Sequence, residues 1–342
     1  MSPKNLNVSS KTHKLLIDKL KDKKIFEVYK KFEKYLTVDQ DFMVAVSGGP
    51  DSLALSYLTK IYSIKKSLKV KYFIIDHKLR ENSSSEAKFV KNLLRNLSIK
   101  LTILKWTGNK PVNNIQSIAR VKRYKLLVNK AKKLKINYIL LGHHNDDLIE
   151  NFFIRFLRGS GLNGLVSFDE KSENEKINLI RPLLKFSKQD LVYISKEVFG
   201  TFVIDPSNEN DKFKRVKIRN LIKNLQLEGL NTDKLNLTIK NLKSASNSIK
   251  FYADKNIINN STFFTKKKMI FLNKDFFEQP EEVVFRSLTE IIKIIGKKYY
   301  PVRGKKIDKI VELVKNNRQF KTTLGNCIIK KVKDTIIVSK EL

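Results

Sequence analysis

Short apolar runs recur through the first half of the chain: FMVAV (42–46), VKYFIID (70–76), IKLTILKW (99–106) and INYILLG (136–142). Longer segments of helical period separate them. That alternation predicts a parallel sheet with crossover helices. Ahead of the first run, residues 12–36 set apolar side chains at helical spacing among lysines, which predicts an amphipathic helix. The polar stretch from Asp169 to Asn178 reads as a loop or flap, and RPLLKFSKQDLVYISKEVFG as a strand or turn followed by a helix. Past about residue 226 come Lys/Asn-rich helices through 296, a helix over 304–315 and β-rich ends. The reading is an N-terminal helical extension (1–36), an α/β domain (37–225) and a smaller helix-rich C-terminal domain (226–342), with no internal repeat.

Charge changes this picture. Lys+Arg total 69 against 34 Asp+Glu, a net +35, which favours polyanionic partners, nucleic acid first, although a Lys-, Ile- and Asn-rich composition accounts for part of it. Arginine is more telling: of twelve, seven (Arg120, Arg123, Arg155, Arg158, Arg181, Arg215 and Arg219) lie between positions 120 and 219. Phosphate recognition uses the planar guanidinium fork, so phosphate chemistry is expected in that stretch. The one cysteine, Cys327, excludes an internal disulfide framework, a Cys-pair metal site and a persulfide relay. The N-terminus lacks the apolar core of a secretory signal and no run of about 18 apolar residues occurs, so a cytoplasmic protein without a membrane partner is expected. Nothing in the sequence points to an obligate protein partner.

The strongest motif follows the first strand. Ser47-Gly48-Gly49-Pro50-Asp51-Ser52 joins an apolar strand to a helix, where glycines let backbone approach a phosphate and the helix N-terminus binds its charge. Ser47 and Ser52 add hydroxyls, and Asp51 can hold Mg²⁺ or orient a substrate ammonium. No GK[ST] follows, so this is not a Walker A loop. Asp76-His77-Lys78-Leu79-Arg80 ends the second strand at the same sheet edge; Asp76 and His77 suit a site and a helix cap equally. Arg120 and Arg123, three apart on a helix, suit an ATP phosphate or an RNA backbone. After the fourth strand His143, Asp147 and Glu150 stand at i, i+4 and i+7, which puts an imidazole and two carboxylates on one helical face, fit for Mg²⁺ or an amine. His144 and Asp146 are expected to face elsewhere as capping or packing residues.

SGGPDS resembles the PP-loop of the ATP pyrophosphatase superfamily, and GHHNDDLIENFFIRFLRGSGLNGL resembles the HHxDDxxE…RGSGxxGL signature of tRNA(Ile)-lysidine synthetases. With IARVKRY, Arg181-Pro182-Leu183-Leu184 and Asp205-Pro206-Ser207-Asn208, the resemblance spans about residues 40–225; PVRGKKIDKIVELV is more loosely similar to that family's second domain. It implies a Rossmann-like PP-loop fold of the adenine nucleotide alpha hydrolase type. It also implies use of ATP and Mg²⁺ to adenylate the wobble cytidine of the CAU-anticodon tRNA(Ile), after which free L-lysine displaces AMP to give lysidine. Ser47 to Ser52 would bind ATP, with Asp51, Arg120, His143, Asp147 and Glu150 catalytic, and Asp51 and Asp147 at the metal. Arg123, Arg158, Arg215 and Arg219 would contact phosphate or tRNA, and the C-terminal domain would bind tRNA. Two departures stand out. Lys78 replaces a glycine of the family's DHGLR segment, so a positive-φ conformation is absent or strained there, and Val216 and Lys217 interrupt its RNRIR pattern. The alternatives are another PP-loop adenylating enzyme, such as a tRNA thiolase, and a non-catalytic RNA-binding protein on a degenerate nucleotide fold.

Overall fold

The computed structural model describes residues 14–79, 81–108, 115–204, 214–264, 268–297, 302, 304–316 and 319–341. Asp205 to Asn208, Arg80, Lys266 and Lys267 lie outside them. Two compact units divide between Leu235 and Asn236, ten residues past the boundary expected after residue 225.

The four apolar runs are strands β1 (Phe42–Val46), β2 (Val70–Asp76), β3 (Leu101–Lys105) and β4 (Tyr138–Leu141). Helices α2 (Pro50–Lys66), α3 (Ser83–Arg95) and α4 (Ile115–Lys133) connect them, and α1 (Lys23–Tyr35) precedes β1. After β4 come α5 (Asn145–Phe156), the short α6 (Leu162–Leu165), β5 (Lys171–Asn174), β6 (Ile177–Ile180), α7 (Lys188–Phe199) and α8 (Lys214–Leu227). The sheet order is β3-β2-β1-β4-β6-β5, parallel throughout except for β5. The polar stretch read as a loop or flap is therefore an antiparallel β5–β6 hairpin on the sheet edge, turned by positive φ at Glu175 and Lys176. Its alternating exposure hid it, because only β6 carries an apolar face.

Alternation along β1 builds two cores. Phe42, Val44 and Val46 join Tyr29, Phe32, Leu53, Tyr57 and Ile194, whereas Met43 joins Phe73, Leu127, Val128 and Leu141. The N-terminal extension is part of the first core: Leu16, Ile25 and Phe32 are fully buried in it, and Tyr57 donates to the Leu16 carbonyl. Its predicted single helix is split at Asp22, whose extended backbone (ψ 121°) ends one turn and whose carboxylate caps α1 through the Ile25 amide.

Lys78 takes the positive φ that its glycine counterpart would supply, at +51°, and its amide donates to Asp76 Oδ1. The side chain is exposed, so backbone strain is the main cost. Lys78→Gly removes about 1–2 kcal/mol of left-handed strain and adds about 0.5–1 kcal/mol of unfolded-state freedom. The variant is expected to gain about 0.5–1 kcal/mol in a urea titration, and a loss would show the conformation to be free of strain.

In the second unit, five antiparallel strands in the order β7-β8-β11-β10-β9 pack against helices. The strands are β7 (Ser261–Phe264), β8 (Met269–Leu272), β9 (Lys321–Leu324), β10 (Cys327–Val332) and β11 (Thr335–Lys340); the helices are α9 (Thr232–Asn260), whose start lies before the division, α10 (Glu281–Gly296) and α11 (Gly304–Lys315). The β7–β8 hairpin interrupts what the sequence suggested was helix through 296. Cys327 is fully buried there, beside Leu288, Ile292 and Ile329.

Candidate active site

Beta strand β1 lies between β2 and β4, so the sheet's order reverses there, and crevices that bind ligands form beyond the carboxyl ends of strands at such a point. The Ser47–Ser52 loop leaves β1 and Gly142-His143-His144 leaves β4, both into that crevice. They are closely fitted: a Cβ on Gly142 would stand 3.2 Å from the Ser52 amide nitrogen and Cα.

The loop is built around Ser52. Its Oγ accepts from the Ser47 and Gly48 amides, 3.1 Å each, and donates to the Gly49 carbonyl at 3.0 Å. Ser52 is thus a buried scaffold for the loop, not the free hydroxyl donor its place in the motif suggested, while Ser47 is exposed. Gly48 has φ +91° and its carbonyl accepts from Val203. Gly49 caps α2, with Pro50 and Asp51 in the first turn. Proline suits that position because the first-turn amides have no helical partner.

Asp51 projects from this turn toward α5. Its Oδ2 lies 3.7 Å from His144 Nε2, and the same nitrogen is 3.6 Å from Asp147 Oδ2. One imidazole therefore bridges two carboxylates from the first turns of different helices. His144 also caps α5: its Nδ1 accepts from the Asp146 amide, and Asp147 returns a bond to the His144 amide. The sequence predicted this capping role but turned the ring away from the site. Because the cap residue is extended (φ −122°), the ring instead projects across the helix start. The histidine doublet ahead of the acidic pair was the signal for this residue.

His143 lies outside α5, so the expected single helical face of His143, Asp147 and Glu150 does not exist; only the two carboxylates share it. Its ring meets Phe168 edge-on at 5.3 Å and its Nδ1 is buried without a partner. Burial, against the pull of Asp147 and with Arg181, Arg120 and Arg123, pushes it down to about 3, so it is neutral at pH 7. Burial raises Asp51, and His144 only partly offsets it. For Asp147 burial is outweighed by the two histidines, the His144 amide and Arg215, which hold it below the usual carboxylate range. Glu150 is raised by burial despite Arg219.

Helix α8 supplies the counter-charges. Arg219 Nε meets Glu150 Oε1 at 2.5 Å, and Arg215 Nη1 lies 3.8 Å from Asp147 Oδ1. A four-residue spacing on α8 matches a three-residue spacing on α5. Both arginines, expected as phosphate or tRNA contacts, here pair with site carboxylates. The RNRIR departures fall on the other faces of α8: Val216 is buried in the fold and Lys217 is exposed.

The other arginines gather nearby. Arg123 is depressed by burial, then, against Tyr124, by the charges of Arg120 and Arg215; Arg155 is depressed by burial, Arg158 and Arg120. Arg120 reaches the Tyr124 hydroxyl at 3.5 Å. Among the described residues no carboxylate pairs with Arg120, Arg123, Arg155 or Arg158; Arg155 Nε donates to Asn151 Oδ1 at 2.9 Å. Arg181 is structural: its Nη1 binds the Asp169 carbonyl and Ser172 Oγ, closing the β5–β6 hairpin. Asp76 is structural too, accepting from the Ser83 and Ser84 hydroxyls at the start of α3. His77 packs on Trp106, pushed down to about 4 by burial and Arg123.

No cluster of three or more metal-ligating side chains occurs among the described residues. Asp51 and Asp147 nevertheless fit Mg²⁺, which takes one or two carboxylates and completes its shell with substrate phosphate and water; Asp51 Oδ1 is buried and unpartnered.

Residues 19–225 match the PP-loop domain family. The tRNA(Ile)-lysidine synthase of Orientia tsutsugamushi (strain Boryong) is 32% identical over 311 residues, covering 87% of this chain and 69% of that protein. The chain belongs to the tRNA(Ile)-lysidine synthase family. The synthase of Wolbachia pipientis wMel is 33% identical, with 87% and 70% covered. Fold similarity reaches further, to a tRNA thiolase from Methanococcus maripaludis solved with its iron–sulfur cluster. The TM-score is 0.57 at 16% identity, over 65% of this chain and 78% of that one. The family matches extend past residue 225, whereas the PP-loop match stops there. No helix among the described residues is long and apolar enough to cross a membrane.

Proposed function

We propose that this chain uses ATP to join lysine to C2 of the wobble cytidine of the CAU-anticodon tRNA(Ile), forming lysidine with release of pyrophosphate and AMP. The observation that carries the proposal is the convergence at one sheet edge of the PP-loop, the Asp51–His144–Asp147 bridge and Arg120 and Arg123, which act on His143 and have no carboxylate partner among the described residues. ATP binds with its β- and γ-phosphates at Ser47–Asp51, and Arg120 and Arg123 compensate charge at the α-phosphate as the cytosine C2 oxygen takes the adenylyl group. Mg²⁺ at Asp51 and Asp147 would add charge neutralisation there.

Free lysine must then attack as an amine. With a reference pKa of about 10.4, only about one side chain in 2,500 is neutral at pH 7. Asp51, Asp147 and Glu150 draw the ammonium in, and Asp51, which burial raises and which pairs with no arginine among the described residues, accepts its proton. His143, neutral, contributes a hydrogen-bonding nitrogen rather than charge. Arg158 and the second unit, with exposed lysines such as Lys305 and Lys306, hold tRNA phosphates.

A thiolase reading is disfavoured by one observation: the sole cysteine, Cys327, is fully buried in the second unit and bonded to the Ile292 carbonyl. The test supplies purified protein with ATP, labelled lysine and tRNA(Ile) transcripts. Label should enter only the CAU transcript, with AMP and pyrophosphate released; pyrophosphate release without label in tRNA would overturn the assignment. Arg120→Lys should lower the rate of adenylate formation by about a hundredfold although charge is kept, because one ammonium cannot replace the bidentate fork. Equal rates in a single-turnover assay would reduce Arg120 to a surface charge.

A further inference from the structure

We infer that the carboxyl end of α5 is a stacking platform for an unpaired base of the substrate RNA, an inference that rests on the tRNA-modifying reading above. Ile149, buried in the fold, starts an apolar stripe that continues at helical spacing through Phe152, Phe153 and Phe156. The stripe runs past its cover: Phe156 is 59% exposed and the following Leu157 54%. The Phe152 and Phe156 rings are near parallel, 13° apart with centroids at 6.3 Å, and Phe153 meets Phe152 edge-on at 5.8 Å. Among the described residues Phe156 thus has one ring neighbour, Phe152, and is otherwise largely open to solvent. The adjoining turn is open as well, since nothing lies within 4 Å of where a Cβ on Gly159 or Gly161 would stand.

Charge decides between occupants. Arg155 and Arg158 flank Phe156 in sequence, feel each other's charge, and have no carboxylate partner among the described residues. A second protein surface would have to desolvate those cations, whereas single-stranded RNA offers phosphates to the guanidinium groups and a base to the ring. Asp147 is nine residues back along α5, about 13 Å at the helical rise and on the opposite flank. The stacked base is therefore not the reacting cytidine but another base of the same loop.

The test uses the full chain and a tRNA(Ile) transcript carrying 2-aminopurine in turn at each anticodon-loop position other than the wobble base. Phe156→Leu keeps the apolar bulk and removes the π face; Phe156→Trp keeps both. Phe156→Leu should bind tRNA about five- to a hundredfold more weakly, and Phe156→Trp within about twofold of wild type. One probe position should be quenched on binding to wild type and Phe156→Trp but not to Phe156→Leu, with ATP affinity unchanged throughout. The salt dependence should keep its slope in Phe156→Leu and become shallower in Arg158→Gln, which gives up a phosphate contact. Equal affinity and quenching in Phe156→Leu would overturn the platform. So would a wild-type dimer in gel filtration that Phe156→Leu dissolves, since a second copy would then cover the face. If wild type transfers no lysine to tRNA, the functional reading itself fails; if it does and Phe156→Leu is indifferent, only the platform fails.

Discussion

Asp51→Asn should lower lysine transfer by about a thousandfold while leaving the protein folded and more stable at neutral pH. The loss follows from position: Asp51 is the acidic residue of the first α2 turn and shares His144 Nε2 with Asp147. Asparagine keeps the shape and removes the charge that draws an ammonium or Mg²⁺ to the phosphates. The gain in stability follows from burial, which raises the Asp51 carboxyl on folding. A raised carboxylate contributes stability that is fully present below its unfolded pKa and is lost as pH rises through its folded pKa. Asparagine never ionises and never incurs that loss. The thermal midpoint of the variant should therefore exceed that of wild type at neutral pH, and the two should converge in acid. Activity within about threefold of wild type, at saturating Mg²⁺, would remove Asp51 from the chemistry.

The parallel sheet was legible because short, mostly apolar runs alternate with helical segments; β1 and β4 are apolar throughout, as suits central strands, whereas the edge strand β3 exposes Thr102 and Lys105. The β5–β6 hairpin was not. Its outer strand, KSEN, is polar on both faces and its turn carries no glycine. Spacing also identified Asp147 and Glu150, since both fall within one helix. It misplaced His143 and His144 because a three- or four-residue interval means a shared face only inside a helix, and this one begins at Asn145. The arginine clustering between 120 and 219 anticipated a cationic cluster, but the partners of Arg215 and Arg219 depend on how α8 lies against α5, which no local pattern specifies. Lys78 shows the reverse case: the sequence departs from its family's glycine while the backbone keeps the glycine's conformation.

Gly48→Ala and Gly49→Ala, one atom each on adjacent residues, should fail in different ways. At Gly48 the backbone has φ +91°, and a new Cβ would stand 2.6 Å from Val90 Cγ2 and 3.2 Å from Val203 Cγ2. Val90 is fully buried in the first core and cannot swing aside. Left-handed strain of about 1–2 kcal/mol and overpacking of about 1–3 kcal/mol together predict a loss of about 2–5 kcal/mol in folding stability. The loop would also shift off Ser52, which holds the Gly48 amide, and off Val203, which donates to the Gly48 carbonyl. ATP binding should disappear with that shift. At Gly49 φ is −73° and the nearest atom to a new Cβ is Ser47 Oγ at 3.9 Å. Folding should therefore lose no more than about 1 kcal/mol, the cost of a poorer helix cap. The methyl group would instead stand where a phosphate must approach the first amides of α2, so ATP affinity should fall by about a hundredfold in a folded protein. Urea titrations and ATP binding by calorimetry on both variants separate the two effects. If Gly49→Ala binds ATP like wild type, the phosphates do not pass over Gly49, and the loop's second glycine serves the turn alone.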